Sequence, residues 1–362
     1  MRVNELHTTG FRNLNETRLV FGPAVNVVTG RNGSGKSNLL EALHVLCLGR
    51  SQRGANDAVM LRQAADVYRL EGVVELDGRS RTQALAYQKG GRKKITVEGI
   101  AVRLSELYRD LKVVSVGPED TSILSGPPSG RRGLLDLYLS QLSAGYLPDL
   151  SDYQRVLAQK NAALKSETDF SAFDALLVRH GAAIMKARTE FVADVSSDAA
   201  AYYGRISDGS KLTVTYDPSV GIAGGDNSLA AIADRFEERL ESVHHREAAA
   251  QMALVGPHRD ELGFEVDGRP ARTHASQGEW RSAAVSLKLA VYHLMRRRSD
   301  VAPLLLLDEI FAELDPGRSR MLIEQFADFG QLFITTASEP PPGLDSDAVH
   351  IDVISGDVKR ID

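Results

Sequence analysis

The sequence predicts an α/β protein: a core of mixed sheets with helices, assembled from residues 1–130 and 251–362, and a mostly helical subdomain from residues 131–250 between them. Three observations carry this. Short β-rich runs alternate with helical stripes near both ends of the chain. The run Val25-Asn26-Val27-Val28-Thr29 enters a glycine-rich turn from which a helical pattern emerges at once. From residue 131 to 250 Gly and Pro thin out, and apolar residues fall into long helical spacings.

In chain order, residues 1 to 50 read as strand, strand, loop and helix, with Leu39, Leu40, Leu43 and Leu46 marking the helix over Asn38 to Leu48. Residues 67 to 103 read as antiparallel, with Lys89-Gly90-Gly91-Arg92 turning between Thr82–Gln88 and Lys94–Val97. Leu111 to Val116 is the next strand, closed by Gly117-Pro118. In the middle, Ser151 with Gln154 predicts a capping box before a helix through Tyr153, Val156, Leu157 and Leu164. A second stripe runs through Phe173, Leu176, Leu177, Ile184 and Phe191, and Gly221 to Asn227 reads as a glycine-rich loop. Beyond it, Asp267-Gly268 predicts a hairpin between Gly263–Val266 and Pro270–Thr273. A helix from about Gly278 to Arg297 and the buried strands Leu304–Leu307 and Leu332–Thr336 follow. There is no internal repeat and no low-complexity tract.

A chain with 43% hydrophobic and 25% charged residues is globular and not disordered. The net charge of -5 excludes a uniformly basic nucleic-acid coat but leaves room for a local basic patch. One cysteine, Cys47, fits a reducing compartment and, in an apolar helical pattern, a buried structural thiol. The start lacks the apolar stretch of a signal peptide, and no segment approaches the roughly 18 to 20 consecutive apolar residues of a membrane helix, so a cytoplasmic protein is expected.

The residues Gly30-Arg31-Asn32-Gly33-Ser34-Gly35-Lys36-Ser37, with Asn38, match the phosphate-binding loop G-x-x-x-x-G-K-[ST], between a strand and a helix as that motif requires. Backbone N–H groups close around phosphate oxygens, the helix N-terminus adds positive potential, Lys36 reaches the β- and γ-phosphates, and Ser37 ligates Mg²⁺. Leu304-Leu305-Leu306-Leu307-Asp308-Glu309 is the second half of such a site. The apolar strand delivers Asp308 to the same Mg²⁺, and Glu309 is placed to polarise the attacking water as a general base. Lys36 and Glu309 are the expected catalytic residues, with ATP and Mg²⁺ as cofactors.

Ser276-Gln277-Gly278-Glu279 opens a helix, and alone it would be only a serine cap with an acidic first turn. It stands about 30 residues ahead of Asp308-Glu309, where ABC-type ATPases keep the signature motif that binds the γ-phosphate held by a second subunit. Glu313-Leu314-Asp315 before Pro316 resembles the D-loop of that class, through Asp315. Thr335-Thr336 ends a strand where transporters of the class carry a switch histidine, so a γ-phosphate sensor here would be a threonine hydroxyl, or absent.

Together these segments resemble the RecF family, relatives of the SMC proteins. The resemblance extends to Val3 to Leu6 with Gly10-Phe11-Arg12-Asn13, which look like the family's first strands, to Val116-Gly117-Pro118-Glu119-Asp120 with Gly126, Arg131-Arg132 and Asp136, to Gly256-Pro257-His258-Arg259-Asp260, and to Ala275 to Glu279 with Arg281 and Leu287-Lys288-Leu289-Ala290. It spans nearly the whole chain and is thinnest from about 140 to 250. It implies an ABC-type ATPase core with a mostly helical subdomain and a homodimer formed with ATP. It also implies binding to double-stranded and gapped DNA near single-strand junctions, and action with RecR, RecO and RecA in RecA loading. The sequence departs from the pattern at three places. Trp280 is bulkier than expected, Glu119 stands near a glutamine position of related ATPases, and residues 339–362 match nothing recognisable.

Two other classes fit less well. A transporter ATPase subunit lacks the Phe11-Arg12-Asn13 block and the long helical insert, and an SMC-type structural protein needs a sustained heptad repeat that is absent here. Candidate DNA contacts are Arg50 and Arg53, Arg92-Lys93-Lys94, Arg131-Arg132 and Arg296-Arg297-Arg298, each equally a solvated surface cluster. With no recognition-helix or zinc-finger pattern, contacts to the DNA backbone without sequence reading are expected.

Overall fold

The computed structural model describes residues 1–207, 209–221, 226–299, 301–313, 316–324, 326–338, 343–344 and 348–361. The chain divides into two compact units, one of Met1–Asp120 with Val291–Asp362 and the other of Thr121–Ala290.

Among the described residues, the first unit contains two six-stranded sheets. One runs in the order Asp357–Ile361, Val349–Ile354, Val25–Thr29, Leu332–Thr336, Leu304–Leu307, Val113–Val116. Its neighbours pair in parallel except the outermost two, which are antiparallel. Leu304–Leu307, Val113–Val116 and Leu332–Thr336 are buried along their whole length, as strands covered on both faces must be. Because Leu307 stands opposite both Val116 and Ile334, and Thr336 opposite Thr29, the segments leaving these strands gather at one edge of the sheet. In open parallel sheets that edge is where ligands bind.

The other sheet is antiparallel, in the order Thr17–Val20, Arg2–Thr9, Val67–Leu76, Arg79–Gln88, Lys94–Val97, Ile100–Ala101. The helix Lys36–Leu48 touches strands of both sheets and is buried on nearly every side, which explains why its apolar residues are not confined to one stripe. Cys47 lies inside it, and burial pushes its thiol up to about 12, so it is inert packing.

The second unit holds the helices Pro128–Leu142, Tyr146–Lys165, Asp174–Ile206 and Leu229–Ala250. It also holds a small antiparallel sheet in the order Arg269–Pro270, Glu261–Val266, Leu212–Asp217. The division therefore falls at 120 and 290 and not at the expected 130 and 250. The reason is long-range pairing: Glu261–Val266 runs against Leu212–Asp217, which draws 261–270 into the helix-rich unit.

Other expectations also shift. Ser151 caps nothing, because the helix already starts at Tyr146; Pro148 sits in its first turn, where a missing N–H costs no bond. The chain turns at Asp267-Gly268 as expected, but Ala271–His274 is a helical turn and not strand. Within the Gly221 to Asn227 loop, residues 222–225 lie outside the described residues. The unmatched C-terminal stretch supplies two strands, held by the buried residues Ile351, Val353 and Val358.

A buried ionic network explains several segments of the second unit that resembled the RecF family. Arg188, almost fully buried, donates from Nη2 to Asp136 at 2.8 Å, from Nη1 to the Pro257 carbonyl at 2.7 Å, and from Nε to the Tyr146 hydroxyl at 3.1 Å. Its Nη1 lies 3.5 Å from Asp260, which also accepts from the Tyr216 hydroxyl and from the Ser219 N–H. Burial raises the Asp260 carboxyl above its ordinary range despite these partners. Arg131 grips Glu261 with two bonds at 2.6 and 2.8 Å, and Arg132 donates to the Asp260 carbonyl at 3.0 Å. Arg131 is thus an internal tether between a helix and a strand, which removes it from the candidate DNA contacts.

Candidate functional site

Thr29 ends its strand at the sheet edge, and the loop from Gly30 leads into the helix at Lys36. Gly30 and Gly35 have φ of 147° and 123°, in the region that favours glycine. A Cβ at Gly30 would also overlap the Val353 carbonyl oxygen. The loop is braced from outside by Asn13, whose side-chain amide donates to the carbonyls of Gly33 and Ser34 at 3.2 and 3.3 Å and accepts from Asn38 at 2.7 Å.

Lys36 is 4% exposed and its ammonium donates to the carbonyls of Gly30 and Arg31 at 2.8 and 3.2 Å. It also pairs with Glu309 at 2.9 Å. The Ser34 hydroxyl is buried and has no hydrogen-bond partner among the described residues. Buried hydroxyls rarely stay unpaired, so a phosphate oxygen is a fitting acceptor for it.

At the end of Leu304–Leu307, the Asp308 N–H donates to the Val116 carbonyl at 2.7 Å. Asp308 is 2% exposed, and its Oδ1 accepts from the Ser37 hydroxyl at 2.8 Å. A hydroxyl and a carboxylate side by side are the hard oxygen donors that Mg²⁺ takes alongside phosphate and water, so the donor set fits that ion. Thr335, fully buried on the neighbouring strand, donates to the same Asp308 oxygen at 2.6 Å and accepts from the Glu309 N–H at 2.9 Å. Glu309 has φ of 50°, a left-handed conformation unusual for glutamate. Lys36, Ser37, Asp308 and Glu309, distant in the sequence, are therefore one cluster.

Three members of this neighbourhood went unassigned by sequence reasoning. Arg53, grouped with surface basic residues, donates to the Asn38 amide oxygen at 3.2 Å and lies 3.5 Å from Asp308 Oδ2. Glu41, with 0% exposure, receives two bonds of 2.8 Å from Arg12, a third from Ser51, and has Arg53 at 3.7 Å. Although burial opposes it, bonding to Arg12 and Ser51 holds the Glu41 carboxyl below its ordinary range. Glu119 follows the strand that supports Asp308, and burial, then Asp120, raises its carboxyl. A glutamate five residues past the phosphate-loop lysine, Lys36, in a helix buried on nearly every side, is the signal that could have found Glu41, because a buried carboxylate demands a cation.

The signature segment lies in the second unit. Ser276 and Glu279 form a reciprocal capping box: the Ser276 N–H and hydroxyl donate to the Glu279 carboxylate, both at 2.7 Å, and the Glu279 N–H donates back to the Ser276 hydroxyl at 3.3 Å. Ser276, Gln277 and Gly278 are exposed at the start of the helix Gln277–Arg298. Trp280, the bulky departure, is partly buried, and its indole N–H donates to the Ala271 carbonyl at 2.8 Å. Leu314 and Asp315, the expected D-loop, lie outside the described residues.

Comparison with known proteins places the chain in a family. The family model for the RecF/RecN/SMC N-terminal domain matches residues 2–341. The DNA replication and repair protein RecF of Symbiobacterium thermophilum is 39% identical over 92% of this chain and 91% of its own length. RecF of Bacillus cytotoxicus is 35% identical over 93% and 92%. The structure of the recombination mediator protein RecF with ATP, from the RecFOR pathway, superposes with a TM-score of 0.91 at 29% identity, covering 99% of this chain and 97% of that one.

Proposed function

This chain belongs to the RecF family of SMC-type ATPases, and from that premise we propose that it is the ATP-dependent DNA-binding mediator of a RecFOR-type repair pathway. The observation that carries the chemistry is the convergence of Lys36, Ser37, Asp308 and Glu309 at the edge of the parallel sheet. The loop Gly30 to Ser37 with Asn38 holds the phosphates, and Ser37 with Asp308 holds Mg²⁺, which supplies charge neutralisation on the phosphate oxygens. Lys36 neutralises phosphate charge, and Glu309 accepts the proton of the hydrolytic water.

Ser276, Gln277, Gly278 and Glu279 serve the ATP of a partner subunit, with Asp315 as its D-loop residue. The exposed start of a long helix suits an anionic ligand. The protein then dimerises with ATP, turns over slowly, and binds duplex DNA near gaps, acting with RecR and RecO to load RecA. Among the basic clusters, the hairpin from Arg79 to Val97 fits DNA best: residues 79–97 carry six basic side chains and no acidic one, in a chain of net charge -5. Lys89, Arg92 and Lys94 are exposed there.

Sedimentation with and without ATP tests the composite site. The wild-type protein should shift from monomer to dimer on ATP, and Ser276→Arg, which sets bulk and positive charge against the partner's nucleotide pocket, should stay monomeric. Dimerisation of Ser276→Arg at the wild-type ATP and protein concentrations would refute the composite site.

A further inference from the structure

We propose that Thr335 is a positioning residue for ATP hydrolysis: its hydroxyl locks Glu309 into its reactive orientation by bridging the Glu309 backbone to the Asp308 carboxylate. This builds on the assignment of Glu309 as the base. The polarity of the bridge is fixed by chemistry. The Glu309 N–H can only donate, so Thr335 Oγ1 accepts at 2.9 Å, and its own hydrogen is directed to Asp308 Oδ1 at 2.6 Å. Only a hydroxyl can do both at once. Thr335 is fully buried in the strand Leu332–Thr336, which pairs with Leu304–Leu307, so its own position is set by the sheet.

The need for a lock is visible in the backbone. Glu309 has φ of 50°, a conformation a glutamate keeps only when its surroundings hold it. In that conformation its carboxylate reaches Lys36 at 2.9 Å. Without the bridge, the backbone at 309 is released toward ordinary conformations and the carboxylate moves away from the phosphate-binding lysine. A γ-phosphate sensor, the role first considered for this threonine pair, needs a hydroxyl available to the nucleotide, and the Thr335 hydroxyl is already used in both senses. The adjacent Thr336 turns to Ser338, whose carbonyl accepts its hydroxyl at 3.1 Å.

The test is single-turnover hydrolysis and ATP affinity measured on Thr335→Val, Thr335→Ser and Thr335→Cys, alone and combined with Glu309→Gln. Val matches the shape and deletes the bridge, so the rate should fall about 10- to 100-fold with ATP affinity within about threefold. Ser rebuilds the bridge and should restore the rate, whereas Cys, a weak donor and acceptor, should fall with Val; this pair decides the matter even if Val perturbs folding. On the Glu309→Gln background Thr335→Val should cost nothing further, because it acts through Glu309. A wild-type rate in Thr335→Val, a loss of ATP affinity as large as the loss of rate, or an equal loss on both backgrounds would overturn the inference. Glu309→Gln hydrolysing at the wild-type rate would instead sink the base assignment, and this inference with it.

Discussion

Replacing Arg188 with Met keeps most of the side chain's volume and removes its charge from the interior of the second unit. Asp136 loses a bond of 2.8 Å, and Asp260 keeps hydroxyl and N–H donors but loses its ion pair with Arg188. The Pro257 carbonyl and the Tyr146 hydroxyl lose bonds of 2.7 and 3.1 Å. Removing one partner from a buried ionic network costs about 3–5 kcal/mol, chiefly because the remaining charge is uncompensated. For a unit of this size each kcal/mol moves the melting temperature by about 2–4 °C, so calorimetry on the full chain should show a transition lowered by roughly 6–20 °C. Adding Asp260→Asn removes one uncompensated charge and should recover part of that loss. A shift below about 2 °C, or a double variant no more stable than Arg188→Met, would show that the network carries little of the unit's stability.

Two further predictions concern pH and DNA. Burial lowers His258 to about 4 from its ordinary 6.5, with its Nδ1 held 2.7 Å from the Tyr153 hydroxyl. Between those values the unfolded chain binds a proton that the folded one refuses, so this contribution, about 3 kcal/mol, is complete above pH 6.5 and is lost as pH falls toward 4. Denaturant titrations across that window should slope accordingly and flatten in His258→Gln; identical profiles would contradict it. For the basic hairpin, Arg92→Ala and Lys94→Ala should each lower the dependence of log affinity for duplex DNA on log salt by about 0.9, with no change in sequence preference. Unchanged slopes with wild-type DNA binding would move the contact surface elsewhere.

What the sequence disclosed and what it hid follow from the range of the interactions. The phosphate loop and the Leu304–Asp308 strand were readable because their chemistry is written in consecutive residues, and the strands Val25–Thr29, Leu304–Leu307 and Leu332–Thr336 appear as expected. Asn13, Glu41 and Arg53 were not, because their roles depend on partners far along the chain: Asn13 on Gly33 and Ser34, Glu41 on Arg12, Arg53 on Asp308. Pairing of Leu212–Asp217 with Glu261–Val266 is equally non-local, and it is what moved the unit boundaries. Thr335 shows a subtler limit. Its place at a strand end was plain, but whether its hydroxyl faces a nucleotide or the neighbouring strand depends on the register of Leu332–Thr336 against Leu304–Leu307.

The measurement that bears most directly on the site is a paired one on Glu309→Gln: single-turnover hydrolysis and equilibrium ATP affinity on the same preparation, with Lys36→Met alongside. Gln keeps the size of Glu309 but cannot take the water's proton, and loss of a general base costs about 10² to 10⁴ in rate. Hydrolysis by Glu309→Gln should fall by that factor while ATP affinity stays near wild type, since the loop, Ser37 and Asp308 remain. Lys36→Met should lose binding itself. Near-normal hydrolysis in Glu309→Gln, or an affinity that falls as far as the rate, would contradict the division of binding and chemistry between these residues.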